Sequence, residues 1–312
     1  MSMTSVETLD LTTIGHIVQE RVVFPDRESD LVLGSPPAYT GVTAARLGAK
    51  VGIVTRIGTD MPGRLLQPFS DAGCDTRGIH QLDGETTTAT RLVYSESGDK
   101  NIEFPAKASP IRLGDLPEDF RSARLHYIAT MDHDVPVEEI AAIASLGKEM
   151  AIDLGGYGGA HCIPVERPPG VPDEVPEICK HMHIVKASDE DCRKIMADPE
   201  TDDEELGRQI LDWGARIFVA TRGSEGALVL TRENRWVIPP YQGNAIDPTG
   251  GGDTFMAGYL VAYLRTGDPE FAGRFGAATA LCAIEKTGGV TAARMPTTEM
   301  VEECMKRPTL KV

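Results

Sequence analysis

The chain is short of aromatic residues (5%) and of basic ones, with 31 Lys and Arg against 47 Asp and Glu and a formal net charge of -16. Such a balance repels polyanions, so an extended nucleic-acid surface would need a local basic stripe, and the sequence offers none. No apolar run approaches the ~20 residues that span a bilayer, and the stretch Met1 to Leu11 is polar. The expectation is a soluble, cytoplasmic protein with neither nucleic-acid nor membrane partners. Six cysteines, at positions 74, 162, 179, 192, 282 and 304, form no C-x-x-C pair and read as reduced thiols rather than a zinc site. The histidines show no H-E-x-x-H spacing; His181 and His183 alternate at a strand entry and read as satisfied or solvated rings. No G-x-x-x-x-G-K-[ST] occurs, which excludes the usual P-loop, and no G-x-G-x-x-G follows a strand, which weakens a dinucleotide-binding reading.

With 312 residues, 41% of them hydrophobic, the chain is long enough for one large α/β core. From Val51 onward, β-branched runs alternate with helical patterns. Strands are expected at Val51–Thr55, Leu125–Ala129, Ala151–Leu154, His183–Lys186 and Ile217–Thr221. Helices are expected at Met61–Ala72, Val137–Met150, from Ser188, and after Asp253 and Asp268, with the acidic run Asp202–Glu205 opening another. This rhythm predicts a mainly parallel sheet with helices on both faces. Leu11–Leu33 and Thr86–Phe104 break it, offering short strands without helices, the second around a turn Ser97-Gly98-Asp99. They are expected to form a small separate sheet, a lid drawn from about 12–34 and 85–108; two ordinary edge hairpins would show the same pattern. Pro and Gly cluster from Gly155 to Pro176, which reads as a long loop.

The most informative stretch is Asp247-Pro248-Thr249-Gly250-Gly251-Gly252-Asp253, followed by the amphipathic MAGYLVAYLR. Three glycines ahead of a helix strip the turn of Cβ atoms, letting backbone N–H groups converge on an anion at the helix N-terminus. Phosphoryl transfer spreads negative charge over equatorial oxygens, so donors fixed there favour the transition state, and Asp253 beside them could take the proton of an attacking hydroxyl. A glycine-rich helix entry capped by an aspartate has the same letters.

DPTGGGDTFMAGYL resembles the C-terminal signature of the PfkB/ribokinase family of carbohydrate kinases, usually D-T-x-G-A-G-D. Ala45–Ile79, through T-R-I-G-T-D-M-P-G-R, is similar to a second family segment, so the resemblance covers nearly the whole chain. It implies a single ribokinase-like domain over 1–312, a three-layer α/β/α fold with a small β-sheet lid, and transfer of the γ-phosphate of ATP with Mg2+. By the resemblance Gly250, Gly251 and Gly252 form the anion hole and Asp253 is the catalytic base. Asp247 and Thr249 lie where many relatives hold a monovalent cation such as K+. The run Thr221-Arg222-Gly223-Ser224-Glu225-Gly226 resembles the nucleotide-side turn, so Thr221, Gly223, Gly226 and Thr249 are expected to border ATP; the same letters make an ordinary turn. The family's N-x-x-E motif aligns with Ser188 to Asp191, giving Asp191 as a water-mediated Mg2+ ligand with Lys186 facing phosphate, although Ser188 with acids behind it is equally a helix cap.

The acceptor side departs from the family. Where a Gly-Gly pair and an Asn usually hold sugar hydroxyls, this chain has Gly34-Ser35-Pro36-Pro37-Ala38-Tyr39, and Glu20 in Gly15-His16-Ile17-Val18-Gln19-Glu20 replaces an Asp. Similar versions occur in the branch that includes myo-inositol kinases, so Glu20, Gly34, Ser35 and Tyr39 are expected to hold a small sugar or polyol. A nucleoside kinase of the same fold and a catalytically silent ligand-binding relative are the rival readings. Many relatives pair through their lids, and positions such as Leu92 and Tyr94 are compatible with such a homodimer.

Overall fold

In the computed structural model, which describes residues 8–94, 100–159 and 170–311, the β-branched runs do what their two-sided hydrophobicity requires. Among the described residues they build a nine-stranded central sheet, in the spatial order Arg235–Ile238, Ala227–Leu230, Ile217–Thr221, Ile184–Ser188, Glu149–Asp153, Leu125–Ala129, Leu11–Ile14, Val51–Gly58, Asp75–Leu82. All neighbours run parallel except the two hairpin strands at the Arg235 edge. Alternate residues serve opposite faces. Leu125, Tyr127 and Ala129 pack toward the helices Pro36–Arg46, Gly63–Ala72, Gly251–Thr266 and Pro269–Ile284. Ile128, Met150 and Ile152 pack toward Val137–Ala144, Glu174–Cys179, Asp189–Met196 and Asp203–Asp212. The expected three-layer α/β/α arrangement is what the chain forms.

A second sheet stands apart, with Arg27–Glu28, Val18–Phe24, Ala89–Tyr94 and Lys100–Ala106 in that order and Val32–Gly34 on the free part of Val18–Phe24. Its link to the core is a buried network: His16 lies 3.3 Å from Asp134 and bonds Thr88 and the Ser109 carbonyl. Leu92 is buried within the single chain, at 5% exposure. The turn at 97–99 and Cys162 lie outside the described residues.

Three sequence expectations need correction. Leu11–Ile14 belongs to the central sheet, not to the small one: it is buried throughout and pairs parallel with Leu125–Ala129 and Val51–Gly58. The helix from Val137 stops at Ala144, because Gly147 turns left-handed (φ 70°) and the following residues enter Glu149–Asp153. Pro176 sits in the helix Glu174–Cys179, in the first turn, where its missing N–H costs no intrahelical bond.

The switch of strand order falls between Leu11–Ile14 and Leu125–Ala129, since the chain builds outward from Leu11–Ile14 on one side and then crosses to the other. Open parallel sheets bind ligands beyond the strand carboxyl ends near such a point.

Candidate active site

The helix Gly251–Thr266 begins beside Lys186 and Thr221, toward the carboxyl ends of two neighbouring parallel strands. Gly250 caps it in the left-handed region (φ 74°), a conformation that suits glycine. A Cβ on Gly250 would lie 2.5 Å from the Tyr39 ring, so the ring needs glycine there. The Thr254 amide and hydroxyl bond the Gly250 carbonyl at 2.9 Å each, closing the first turn. The amides of Gly252 and Asp253 belong to that turn, whose N–H groups have no intrahelical acceptor. A Cβ on Gly252 would lie 3.5 Å from Lys186 Nζ and 4.0 Å from Thr221 Oγ1, so the glycine loop, the lysine and the end of the Ile217–Thr221 strand share one space.

Lys186 is 4% exposed. Its ammonium donates to Asp153 Oδ2 at 2.9 Å and lies 3.7 Å from Asp191 Oδ2. Burial alone would lower the lysine's pKa, but the Asp153 and Asp191 carboxylates outweigh it and the net direction is upward. The lysine is a fixed positive charge. Asp191 also accepts from the Ser188 amide and hydroxyl, both at 2.7 Å, while the Ser188 hydroxyl accepts from the Asp191 amide. The capping reading of this motif is what these bonds show.

Asp253 keeps some surface contact. The surrounding protein desolvates its carboxyl, and Asp153, Glu20 and Asp191 add negative charge; against the pull of Lys186, these push its pKa up to about 7. A carboxylate poised there is suited to accept a hydroxyl proton at neutral pH. The Thr40 hydroxyl donates to its backbone carbonyl at 3.2 Å, tying the helix Pro36–Arg46 to it.

On the acceptor side, Glu20 comes from the second sheet and is 4% exposed. A Cβ on Gly34 would lie 2.9 Å from its carboxyl carbon, so the glycine lets that carboxylate lie across the backbone. Thr90 donates to it at 3.4 Å. Ser35, the cap of the helix Pro36–Arg46, sits at φ 95°, ψ 154°, a region almost reserved for glycine. Its buried hydroxyl has no hydrogen-bond partner among the described residues.

Tyr39, the fourth expected acceptor residue, lies against the glycine loop. It is 2% exposed, its ring covers Gly250, and its hydroxyl accepts from Arg294 at 3.1 Å. Burial raises its pKa, so the phenol stays neutral. Asp247 and Thr249, expected beside a monovalent cation and, for Thr249, beside ATP, present their carbonyls to the Arg294 guanidinium, at 3.1 Å and 2.8 Å. The Asp247 side chain holds the Thr249 amide at 3.0 Å and the Gly288 amide at 3.2 Å. Gly226, at φ 85°, is required by its turn, since a Cβ would strike the Ile238 carbonyl at 2.1 Å; Gly223 (φ 54°) opens the same turn and faces open space.

Sequence reading missed Asp153 and Arg294. Asp153 could have been found, for it ends a parallel strand just before Gly155-Gly156. Arg294 carries no such signal.

A sequence profile described as pfkB family carbohydrate kinase matches residues 38–297. The chain belongs to this family. It is 30% identical over 286 residues to the cytidine kinase of Thermococcus kodakarensis, covering 90% of this chain and 98% of that one. Its fold is that of an Arabidopsis thaliana ribokinase complexed with ribose and ATP, with a TM-score of 0.77, 19% identity and coverage of 97% and 100%. A pyrophosphate-dependent kinase of the ribokinase family, complexed with a pyrophosphate analog and myo-inositol, matches with a TM-score of 0.77, 19% identity and coverage of 91% and 98%. The stretch 247–253 lies within that match, and its Asp253 faces the charges of Asp153, Glu20 and Asp191.

Proposed function

We propose that this kinase transfers the γ-phosphate of ATP to a hydroxyl of a small polyol or sugar with vicinal hydroxyls, with Asp253 as the base. The observation that carries the reading is one crevice holding a helix N-terminus free of Cβ atoms, a buried lysine, and a carboxyl of pKa about 7. Gly252 and the Asp253 amide would bind the transferring phosphoryl group, and Lys186 would neutralise the charge that it spreads. Thr221 and the Gly223–Gly226 turn would border the nucleotide. Glu20 would accept two acceptor hydroxyls, and the Ser35 hydroxyl, without a partner among the described residues, would donate or accept a third contact. Asp253 would then take the proton of the attacking hydroxyl. Closure of the second sheet over the acceptor would exclude water, a competing nucleophile.

Among the described residues no cluster of three His, Cys, Asp or Glu side chains could hold a metal. Mg2+ therefore fits as an ion carried on the phosphates and faced through water by Asp191, which suits its preference for few carboxylates. When bound there it would neutralise phosphate charge.

A nucleoside acceptor is the second reading, favoured by the Thermococcus kodakarensis cytidine kinase relative. The ribosyl diol of a nucleoside asks the same of Glu20 as a polyol does. ADP release from ATP–Mg2+ across inositols, pentoses, hexoses and nucleosides, with wild type beside Asp253→Asn, separates the two. One acceptor class should give turnover that Asp253→Asn lowers by roughly 10²–10⁴-fold while ATP still binds; binding of ATP with no acceptor turned over would sink the kinase reading in favour of a silent relative.

A further inference from the structure

Arg294 is 2% exposed and spends its guanidinium on oxygens of the backbone. Nη2 donates to the carbonyls of Thr249 (2.8 Å) and Asp247 (3.1 Å), Nε to Ala283 (3.3 Å), and Nη1 to Gly288 and to the Tyr39 hydroxyl (3.1 Å). The Asp247 carboxylate lies 3.6 Å away, and the guanidinium stands 5.5 Å from the Tyr39 ring centroid. Four carbonyls from two segments, 247–249 and 283–288, thus converge on one point. Converging carbonyl dipoles repel one another unless a cation lies among them, and rings of carbonyl oxygens are also how proteins hold K+. Here the positive charge is covalently part of the chain and always present.

We propose that Arg294 is a built-in cation of the glycine loop, filling the place that the family resemblance gives to a monovalent metal ion, and that it makes the kinase independent of K+. The inference rests on the kinase reading for its catalytic half only. In a trans peptide the C=O and N–H point in opposite directions. Holding the Thr249 carbonyl on Arg294 therefore fixes the Gly250 N–H toward the far side of the loop. The same guanidinium holds the Tyr39 hydroxyl, whose ring lies on Gly250, so one side chain sets both faces of the turn. Arg294 is a positioning residue: it acts through the loop. A dissociable ion in that place would let the loop relax whenever the ion left; a tethered guanidinium sets the loop when the chain folds.

The test measures thermal unfolding and, with an active acceptor, ADP release in KCl, NaCl and choline chloride at equal ionic strength. Wild type should unfold at the same temperature in all three salts and turn over at rates within about twofold. A K+-specific rise in stability or several-fold activation of wild type would overturn the proposal. Arg294→Met, which keeps an unbranched stem and removes the guanidinium and its charge, should lose roughly tenfold or more in kcat, with part of the loss restored by K+ or by low guanidinium, and should acquire a K+-specific thermal shift. Full turnover of Arg294→Met in choline chloride would equally overturn it. Should Arg294→Met fail to fold, the salt series on wild type and Arg294→Lys still decides. Should no acceptor be turned over, the kinase reading fails by itself, and the K+ against choline shift continues to report on Arg294.

Discussion

Asp253 sets the behaviour of the site through its proton. With a pKa near 7 the proposed base is only half ionised at neutral pH, so kcat/KM should rise roughly tenfold per pH unit below that value and level above it. The same shift has a stability consequence of definite sign. An unfolded aspartate titrates near 3.9, so between about pH 4 and 7 the folded chain holds a proton that the unfolded chain has lost. The stabilisation this confers is complete below about pH 4 and is lost progressively as pH rises to about 7, above which none remains. Asp253→Asn should therefore unfold at nearly the wild-type temperature at about pH 4 and above it at pH 8, a gap that nucleotide-free thermal scans would show. Ser35 presents the opposite trade. Holding a serine at φ 95° costs about 1–3 kcal/mol, which glycine avoids. Ser35→Gly should raise stability in urea by about 1 kcal/mol, while KM for the acceptor rises if the orphan hydroxyl binds it; a less stable variant would contradict the strain.

At the scale of elements, the glycine loop and the helix behind it work as one joint with Pro36–Arg46. Gly250→Ala must both keep φ 74° and push the Tyr39 ring from 2.5 Å, a double insult expected to cost about 2–4 kcal/mol. Equilibrium unfolding should show that loss along with a collapse of turnover, and a loss below ~0.5 kcal/mol would mean that the ring yields freely. Elements were legible where one physical signal sufficed. Val51–Gly58, Ile217–Thr221 and the helix after Gly250 follow from β-branched runs and from glycines ahead of an apolar helix. Leu11–Ile14 misled because strand sequences do not state which sheet they join. The short run LTTI looks alike at a lid edge and in a core, and only its partners at Val51 and Leu125 decide. The helix from Val137 was overrun because the following strand is equally apolar.

Across the whole molecule, legibility falls with sequence separation. Asp253, its glycines and Lys186 announced themselves within short motifs, whereas Arg294 meets carbonyls 45 and 47 residues away and Tyr39 at 255. No local pattern encodes such a meeting. The contact of Tyr39 with Arg294 was invisible for the same reason, since its partner cannot be seen from the helix alone. The placement of Leu11–Ile14 also carries a consequence in time. During synthesis this strand can pair with Val51–Gly58 early, but its other edge must await Leu125–Ala129. That is about 70 residues later, roughly 4–14 s at ~5–20 residues per second. For that interval the nascent chain carries an apolar strand edge at what will become the middle of the sheet, open to any passing strand. The yield of native enzyme should therefore depend on elongation speed between Gly58 and Leu125, and on whatever shields the nascent chain while the ribosome crosses it.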